Sequence, residues 1–205
     1  MTVAIALGGN GEATVDHFRL AAAELAKHGR IRGTSSLYRT APVGPSSDVY
    51  TNAVLVLKTV LTPDALLAVT QKIEQRCGRD ALAARWTSRP LDLDLITAEV
   101  DGRPITRSEP RLKLPHPLAC VRRFVLDPLV EVWPAAPLDG LSAEGWLLRW
   151  TSQTEQPDFA SEWGRGLLAA TPLPLHEAIE AIHTGLTDVP VRCDAFPSSE
   201  TLRER

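Results

Sequence analysis

Two aspartates in the segment 91–95, which reads Leu-Asp-Leu-Asp-Leu, are the side chains of this sequence best suited to chemistry. Residues two apart on a β-strand point to the same face, so Asp92 and Asp94 would project together with Cα atoms about 7 Å apart. Two carboxylates on one rigid face can hold one or two Mg²⁺ ions. The alternative is a solvated polar face of an amphipathic strand, although aspartate is disfavoured in strands.

Basic side chains and a tryptophan stand close to this acidic pair in the sequence. Arg79, Arg85, Trp86 and Arg89 all precede it. Guanidinium groups bind phosphate oxygens in a bidentate manner, and metal ions beside them neutralise further negative charge. Because the sequence has no GxxxxGK[ST] loop, phosphate binding would have to come from side chains and metal ions. The pattern indicates a polyphosphate ligand.

The histidines of the chain differ in their surroundings. His116 stands in the segment 114–117, Leu-Pro-His-Pro, where two prolines restrict the backbone and several arginines are near in sequence. A single histidine is usually structural, but this setting leaves a ligand-binding role for His116 equally open. His17 and His28 fall in a predicted helix, and we expect both to be solvated surface residues.

The composition favours a globular protein with a local anionic ligand. The chain has 205 residues, of which 44% are hydrophobic and 23% charged, with a net charge of −3. Its basic excess lies in residues 76–123 and its acidic excess in residues 151–205. We therefore expect no nucleic-acid partner. No apolar run approaches the roughly 20 residues that span a bilayer. The three cysteines are far apart in the sequence, so we expect a reduced, cytoplasmic protein without a membrane partner.

The secondary-structure pattern positions the acidic pair on the last strand of a β-α-β-β-α-β unit. Strands are predicted at 3–7, 31–38, 50–61 and 91–98, and helices at 14–28 and 63–76. This order is the split βαβ or ferredoxin-like arrangement, an α+β fold with an antiparallel sheet and two helices on one face. Thr62 and Pro63 predict the start of a helix, and Gly29 predicts the end of one. Asp101-Gly102 predicts a hairpin turn.

The C-terminal part of the chain has a different character. A further helix is predicted around 124–132, after which prolines and acidic residues become frequent. We predict a domain at 1–135 followed by an extension at 136–205 with one or two helices, one of them within 169–186. Trp146 and Trp150 are four residues apart, so one helical face would carry both indoles and dock the extension on the core.

A series of short motifs runs through residues 1–135 in a fixed order. They are Gly8-Gly9-Asn10, Ser35-Ser36-Leu37-Tyr38-Arg39-Thr40, Pro42-Val43-Gly44-Pro45, Tyr50-Thr51-Asn52-Ala53, Ile73-Glu74, Gly78-Arg79, Arg85-Trp86, Arg89-Pro90-Leu91-Asp92-Leu93-Asp94, Leu114-Pro115-His116-Pro117 and Arg122-Arg123-Phe124-Val125-Leu126. In these motifs the sequence resembles the 6-hydroxymethyl-7,8-dihydropterin pyrophosphokinase family of folate biosynthesis. That family has a ferredoxin-like fold, in agreement with the predicted order of strands and helices.

This resemblance implies the transfer of pyrophosphate from ATP to the hydroxymethyl group of the pterin, with release of AMP. By similarity, Asp92 and Asp94 would bind two Mg²⁺ ions, and Arg79 and Arg89 would act as catalytic residues on a mobile loop. Tyr50 and Phe124 would sandwich the pterin ring. The other residues implied at the pterin are Thr40, Pro42, Val43 and Asn52. The residues implied at ATP are Gln71, Glu74, Arg85, Trp86, Arg89, Arg111, His116 and Arg122.

The sequence departs from the family pattern in one loop. Thr87-Ser88 stands where the family has Gly-Pro, and residues 80–84 lack the basic side chains common there. These departures leave open a second hypothesis, an enzyme acting on another pterin-like or heteroaromatic alcohol. A third hypothesis, a ferredoxin-like RNA-binding module, would require aromatic residues where the central strand carries two aspartates. The sequence does not predict an oligomeric state.

Overall fold

The computed structural model describes residues 1–40, 49–78, 90–152 and 169–171. Within them, an antiparallel sheet carries helices on both of its faces, beside two small hairpins. The elements in chain order are β1 (Thr2–Gly9), α1 (Thr14–Ala26), β2 (Gly29–Thr34), β3 (Leu37–Thr40), β4 (Tyr50–Thr59), α2 (Pro63–Arg76), β5 (Asp92–Val100), β6 (Arg103–Pro104), β7 (Arg107–Glu109), β8 (Leu112–Leu114), α3 (Arg123–Val132), β9 (Pro137–Leu138), β10 (Leu141–Ser142), α4 (Ala143–Ser152) and β11 (Ala169–Thr171).

The main sheet is organised around β1, which pairs antiparallel with β4 on one side and β5 on the other. Its strand order is β11-β3-β4-β1-β5-β6, and β2 also pairs with β4. The predicted α+β class and antiparallel sheet are confirmed. The predicted strand at 31–38 is instead two strands, because Ser35 interrupts the ladder: its Oγ accepts a hydrogen bond from Val54 N at 2.9 Å.

Local sequence signals account for several element boundaries. Thr62 caps α2, its Oγ1 accepting from Ala65 N at 3.3 Å, and proline occupies the first turn as predicted. The Asp101-Gly102 turn joins β5 to β6 with φ of 50° and 76°, values that suit a two-residue hairpin. Gly29 was predicted to end the first helix, but α1 ends at Ala26 and Gly29 is the first residue of β2. An added Cβ at Gly29 would lie 2.4 Å from Lys58 O.

One face of the sheet packs against α1 and α2. Their apolar side chains, including Phe18, Leu25 and Leu66, bury the inward residues Ile5 and Leu55 of the two central strands. The sequence periodicities of 3.6 in the helices and 2 in the strands produce these matching apolar surfaces. This confirms two helices on one face and leaves the other face of the sheet for the remaining helices.

The opposite face packs against α3, and α4 packs on α3 in turn. Leu126 and Leu129 of α3 are fully buried against Val54 and Ile96 of the sheet. Trp150 Nε1 donates a hydrogen bond to Cys120 O at 2.8 Å. Trp146 Nε1 donates a hydrogen bond to Leu138 O at 2.8 Å. Both indoles are partly buried against the apolar residues that α3 shares with the sheet.

The C-terminal extension contributes an edge strand to the main sheet. Ala170 of β11 pairs antiparallel with Tyr38 of β3. The predicted helix at 169–186 is therefore wrong for residues 169–171, because the free backbone groups of a sheet edge override a weak local helical pattern. Residues 172–186 lie outside the described part of the chain. No helix among the described residues is long and apolar enough to cross a membrane.

Truncation of Leu129 tests how strongly α3 is held by the second core, the apolar cluster between α3 and the sheet. Leu129→Ala should lower the free energy of unfolding by about 2–5 kcal/mol, because it leaves a cavity in a fully buried site. Leu148→Ala is the matched control, since Leu148 is 63% exposed and its loss should change stability by less than about 0.5 kcal/mol. Urea denaturation of both variants measures the difference. Equal stabilities would contradict the assigned packing of α3.

Candidate active site

The two aspartates lie on the face of the sheet that α3 covers. Asp92 pairs with Gly8 of β1 and Asp94 with Ala6, while Leu93 between them points into the core under α1 and α2. Both aspartates are half-buried and the alternating leucine is buried. The predicted projection of two carboxylates from one face of a strand is confirmed.

A row of paired residues that begins at one aspartate of this pair crosses four strands. Asp92 pairs with Gly8, Gly8 pairs with Asn52 of β4, and Asn52 pairs with Tyr38 of β3. Directly opposed residues on antiparallel strands share a face, so the carboxylate and the amide flank a glycine without a side chain. A Cβ at Gly8 would lie 3.4 Å from Asn52 Oδ1. The position between the carboxylate and the amide therefore carries no side chain, and a Cβ there would already contact the amide.

The amide end of this row is held by a buried hydrogen bond. Asn52 Nδ2 donates to Thr40 Oγ1 at 2.8 Å, and both residues are buried. Tyr50, which pairs with Thr40, is half-buried on the same face. The structure thus brings together three of the residues that the resemblance implies at the pterin.

Charged groups from three segments meet at the acidic end. Burial and, after it, the positive charge of Arg122 lower the pKa of His116 to about 4, and Asp92 opposes the shift. Burial lowers the pKa of Arg122, while Asp94 and Asp92 raise it. The charges of the predicted metal-binding pair thus act on both of these predicted ATP residues, so the four groups lie near one another.

His116 is held in one orientation. Its ring Nδ1 accepts a hydrogen bond from Leu118 N at 3.2 Å, and its backbone N donates to Ile96 O at 2.7 Å. The Leu114–Pro115 peptide before it is cis. A neutral ring that accepts at Nδ1 carries its proton on Nε2, so His116 can donate a hydrogen bond from that atom.

Phe124 and Arg122 lie at the N-terminal end of α3. The Arg122 guanidinium carbon is 5.6 Å from the centre of the Phe124 ring, within range for a cation–π contact. Phe124 is half-buried and packs at the edge of the core formed by α3. The helix therefore presents an aromatic ring and a cation on the same side as the aspartates.

Glu74 occupies a position that differs from its predicted ATP contact. It is 4% exposed on α2, on the opposite face of the sheet from the aspartates, and its Oε1 accepts from Leu93 N at 2.8 Å. Leu93 stands between Asp92 and Asp94. The contact makes Glu74 a positioning residue for the acidic strand, a role for which Ile73-Glu74 in the sequence held no signal.

Two other predicted ATP residues belong to the surface around α2. Gln71 is an exposed residue of that helix. Arg111 Nε is 3.7 Å from Asp64 Oδ1 in an exposed ion pair. Such pairs contribute little to stability and leave the arginine side chain able to move. The contacts of these residues do not join them to the cluster at Asp92.

Gly9 and His17 hold the backbone just before the acidic strand. His17 Nδ1 donates to Pro90 O at 3.0 Å, so the prediction of a solvated His17 is wrong. An added Cβ at Gly9 would lie 2.9 Å from the same carbonyl oxygen, which explains why a glycine stands there. The position of His17 beside the buried Phe18 was the sequence signal that could have indicated partial burial.

Several predicted residues fall outside the part of the chain that the structure describes. They are Pro42, Val43, Arg79, Arg85, Trp86 and Arg89. The family departures at residues 80–84 and at Thr87-Ser88 fall there too. Their roles stay predictions from the sequence.

The described residues include no group of three or more His, Cys, Asp or Glu that could hold a metal ion. The donor set at the site is instead two carboxylates, Asp92 and Asp94. Magnesium commonly binds through one or two carboxylates together with water and substrate phosphates. The pair therefore fits magnesium bound jointly with a polyphosphate.

Comparison with known proteins identifies the family. The sequence profile of 7,8-dihydro-6-hydroxymethylpterin-pyrophosphokinase (HPPK) matches residues 4–134. The chain therefore belongs to the HPPK family.

Curated relatives agree with this assignment. Three proteins named 2-amino-4-hydroxy-6-hydroxymethyldihydropteridine pyrophosphokinase are similar to the chain. The protein from Synechocystis sp. is 39% identical over 132 residues, covering 63% of this chain and 65% of the relative. The protein from Haemophilus influenzae is 38% identical, covering 64% and 81%. The protein from Bacillus subtilis is 37% identical, covering 68% and 83%.

Solved structures support the fold. The chain is similar to wild-type Plasmodium falciparum HPPK-DHPS with SDX-DHP, at a TM-score of 0.56 and 15% identity, covering 74% of this chain and 44% of that one. The same protein with pteroate gives a TM-score of 0.52 at 14% identity, covering 74% and 42%. The chain thus spans less than half of these longer proteins.

The contact of Glu74 with the acidic strand can be tested by truncation. Glu74→Ala should lower the free energy of unfolding by about 1–3 kcal/mol, because the buried Leu93 N–H loses its acceptor. Glu74→Gln should cost less, since its amide oxygen can still accept. The neighbouring Gln75 is exposed, and Gln75→Ala provides the control. Chemical denaturation that gave Glu74→Ala the stability of the control would contradict the positioning role.

The electrostatic coupling of His116 predicts a titration. NMR of the metal-free protein should find a His116 pKa of about 4. Arg122→Met should raise it towards the ordinary 6.5, whereas Arg103→Met, an exposed charge on the distal hairpin, should not. Since the folded pKa lies below the unfolded value, His116 should reduce stability as the pH falls from 6.5 towards 4. A wild-type pKa near 6.5 would contradict this environment.

Proposed function

We propose that the chain transfers pyrophosphate from ATP to the hydroxymethyl group of 6-hydroxymethyl-7,8-dihydropterin and releases AMP. The observation that carries the proposal is the row in which Asp92, Gly8 and Asn52 lie side by side. In this row, a carboxylate that could bind a metal ion together with a polyphosphate lies close to an amide that could hydrogen-bond the edge of a heterocycle. Membership of the HPPK family and the names of the curated relatives support the same reaction.

The acceptor would bind at the amide end of the row. Asn52, oriented by Thr40, would hydrogen-bond the edge of the pterin, and Tyr50 and Phe124 would stack on its two faces. The absent side chain at Gly8 supports this arrangement, because a ring substituent can pass beside Asn52 towards Asp92. Pro42 and Val43 would complete the pterin contacts through their backbone groups.

The polyphosphate would bind at the acidic end. Asp92 and Asp94 would hold two Mg²⁺ ions, which would neutralise phosphate charge and polarise the transferred group. Arg122 is supported as a phosphate ligand by its electrostatic interaction with both aspartates. Arg79 and Arg89 are proposed as catalytic side chains from the resemblance. The other side chains proposed at ATP are Gln71, Arg85, Trp86 and Arg111, while Glu74 would act on the acidic strand through Leu93.

The chain's own contribution to the chemistry would be positioning and charge balance. His116, neutral near pH 7, would donate a hydrogen bond from Nε2 to ATP. The aromatic pair and Asn52 would aim the hydroxymethyl oxygen in line at the β-phosphorus. Fixed geometry and preorganised charges are the main terms in phosphoryl-transfer catalysis.

The finer assignments of fold and organisation are part of the proposal. A ferredoxin-like split βαβ arrangement is supported by the order in which β5, β1, β4 and the β2–β3 pair lie side by side. A domain at 1–135 is supported by the match to residues 4–134. A reduced, cytoplasmic location is supported by the free thiols of Cys77 and Cys120.

Release of AMP tests the proposed reaction. With ATP, Mg²⁺ and the hydroxymethyl-dihydropterin, the wild-type chain should form AMP, and Asp92→Asn and Asp94→Asn should each lower kcat/KM at least about 100-fold. Asp101→Asn is the matched control, since it lies at the distal end of β5 in a turn that asparagine tolerates. It should keep wild-type activity.

The other outcomes separate the hypotheses. ATP binding without AMP formation from this acceptor would favour the heteroaromatic alcohol alternative, which the comparisons do not favour. Failure of the intact chain to bind ATP with Mg²⁺ would overturn both.

A further inference from the structure

One exposed carboxylate joins the end of α3 to β3 and to the residue just before it. Glu131 Oε1 accepts hydrogen bonds from Ser36 N and Ser36 Oγ, both at 2.9 Å. Its Oε2 accepts from the Tyr38 hydroxyl at 2.7 Å. These three residues are called the Glu131 clamp below. Glu131 and its two partners are more than 90 positions apart in the sequence, so the clamp is a tertiary contact.

The charges around the clamp favour this arrangement. Burial and the hydrogen bond to Glu131 raise the pKa of Tyr38, so the phenol remains a donor at any physiological pH. Asp127, one turn earlier on α3, is paired with Arg123 through bonds of 2.9–3.0 Å. That pairing neutralises the neighbouring acid and leaves Glu131 as the carboxylate that binds β3.

The proposed acceptor would bind in a slot between two walls, one formed by β3 and β4 and the other by the N-terminal end of α3. The clamp connects these two walls. Tyr38 lies two residues before Thr40 on the same face of β3, and Thr40 holds Asn52. Phe124 lies seven residues before Glu131 on α3, about 10 Å along the helix axis. One wall therefore carries Thr40 and Asn52, the other carries Phe124, and Glu131 joins the two.

The apolar core alone does not define the separation of these walls. Leu126 and Leu129 hold α3 on the sheet by non-directional packing. The clamp adds three hydrogen bonds of defined direction at the end of the helix away from Phe124. A shift of about 1 Å in a substrate-positioning group can cost about 100-fold in rate.

We propose that Glu131 is a positioning residue for the acceptor heterocycle, setting through Tyr38 and Ser36 the gap between α3 and the β3–β4 wall. Glu131 touches neither substrate nor metal in this proposal. It acts mainly on the pterin side, because its partner strand β3 carries Thr40, whereas Asp92 and Asp94 lie on β5. The inference rests on the proposed function for the identity of the acceptor.

Steady-state kinetics of Glu131→Ala, Glu131→Gln and Tyr38→Phe test the role. Glu131→Ala should raise KM for the hydroxymethyl-dihydropterin about tenfold and leave KM for ATP within about twofold, since charge-assisted hydrogen bonds of this kind are worth that factor or more. Glu131→Gln keeps an acceptor oxygen and should restore part of the loss. Glu144→Gln, an exposed glutamate in the first turn of α4, is the control and should match wild type.

A double-mutant cycle and thermal unfolding separate positioning from stability. Tyr38→Phe should add little to Glu131→Ala, because both remove the same bond. Equal increases in both KM values, or a lower Tm without any change in KM for the pterin, would overturn the positioning role. So would wild-type kinetics in Glu131→Ala.

A binding measurement keeps this test distinct from that of the reaction. If the wild-type chain forms no AMP, pterin fluorescence with a non-hydrolysable ATP analogue and Mg²⁺ gives Kd directly. A weaker Kd in Glu131→Ala than in the control would support the clamp while the proposed reaction fails. Absence of pterin binding by the wild-type chain would overturn both.

Discussion

The antiparallel pairing of β1 with both β4 and β5 is the constraint on which the site depends. Its register sets Asp92, Gly8 and Asn52 in one row. Because side chains alternate with a period of two, a slip of one residue would turn both aspartates into the apolar core and expose the leucines. The cost of burying those carboxylates therefore helps to specify the register that the chemistry requires.

The second core then brings the remaining groups to that row. Packing of α3 on the sheet carries Phe124 and Arg122 to the acidic end. There, burial and the positive charge of Arg122 lower the pKa of His116, and Asp92 opposes that effect. Burial and the charges of the two aspartates thus act in opposite directions on the pKa of Arg122. Glu74 and His17 support it from the other face, through the backbone on either side of Asp92.

The parts of this arrangement that were predictable have local causes. Alternation in 91–95 indicated the shared face of the aspartates, Thr62 and Pro63 indicated a helix start, and Asp101-Gly102 indicated a hairpin. The break at Ser35 and the strand at Ala169–Thr171 were missed, because each depends on a partner strand distant in sequence. The resemblance implied Glu74 at ATP, and the bond from Leu93 N to its carboxylate left no local pattern in the sequence because the two residues are joined only by helix packing.

The amino-acid sequence by itself determined the β-α-β-β-α-β order and the acidic pair, since these follow from residue type and short-range periodicity, and its motifs carried the resemblance to the family. Only the tertiary structure decided which groups meet: the neutral His116 beside Arg122, the glycine gap between Asp92 and Asn52, and the bonds from Glu131 to Ser36 and Tyr38. Their physical origin is strand register and helix packing, which join residues that the sequence holds far apart and so leave no local pattern.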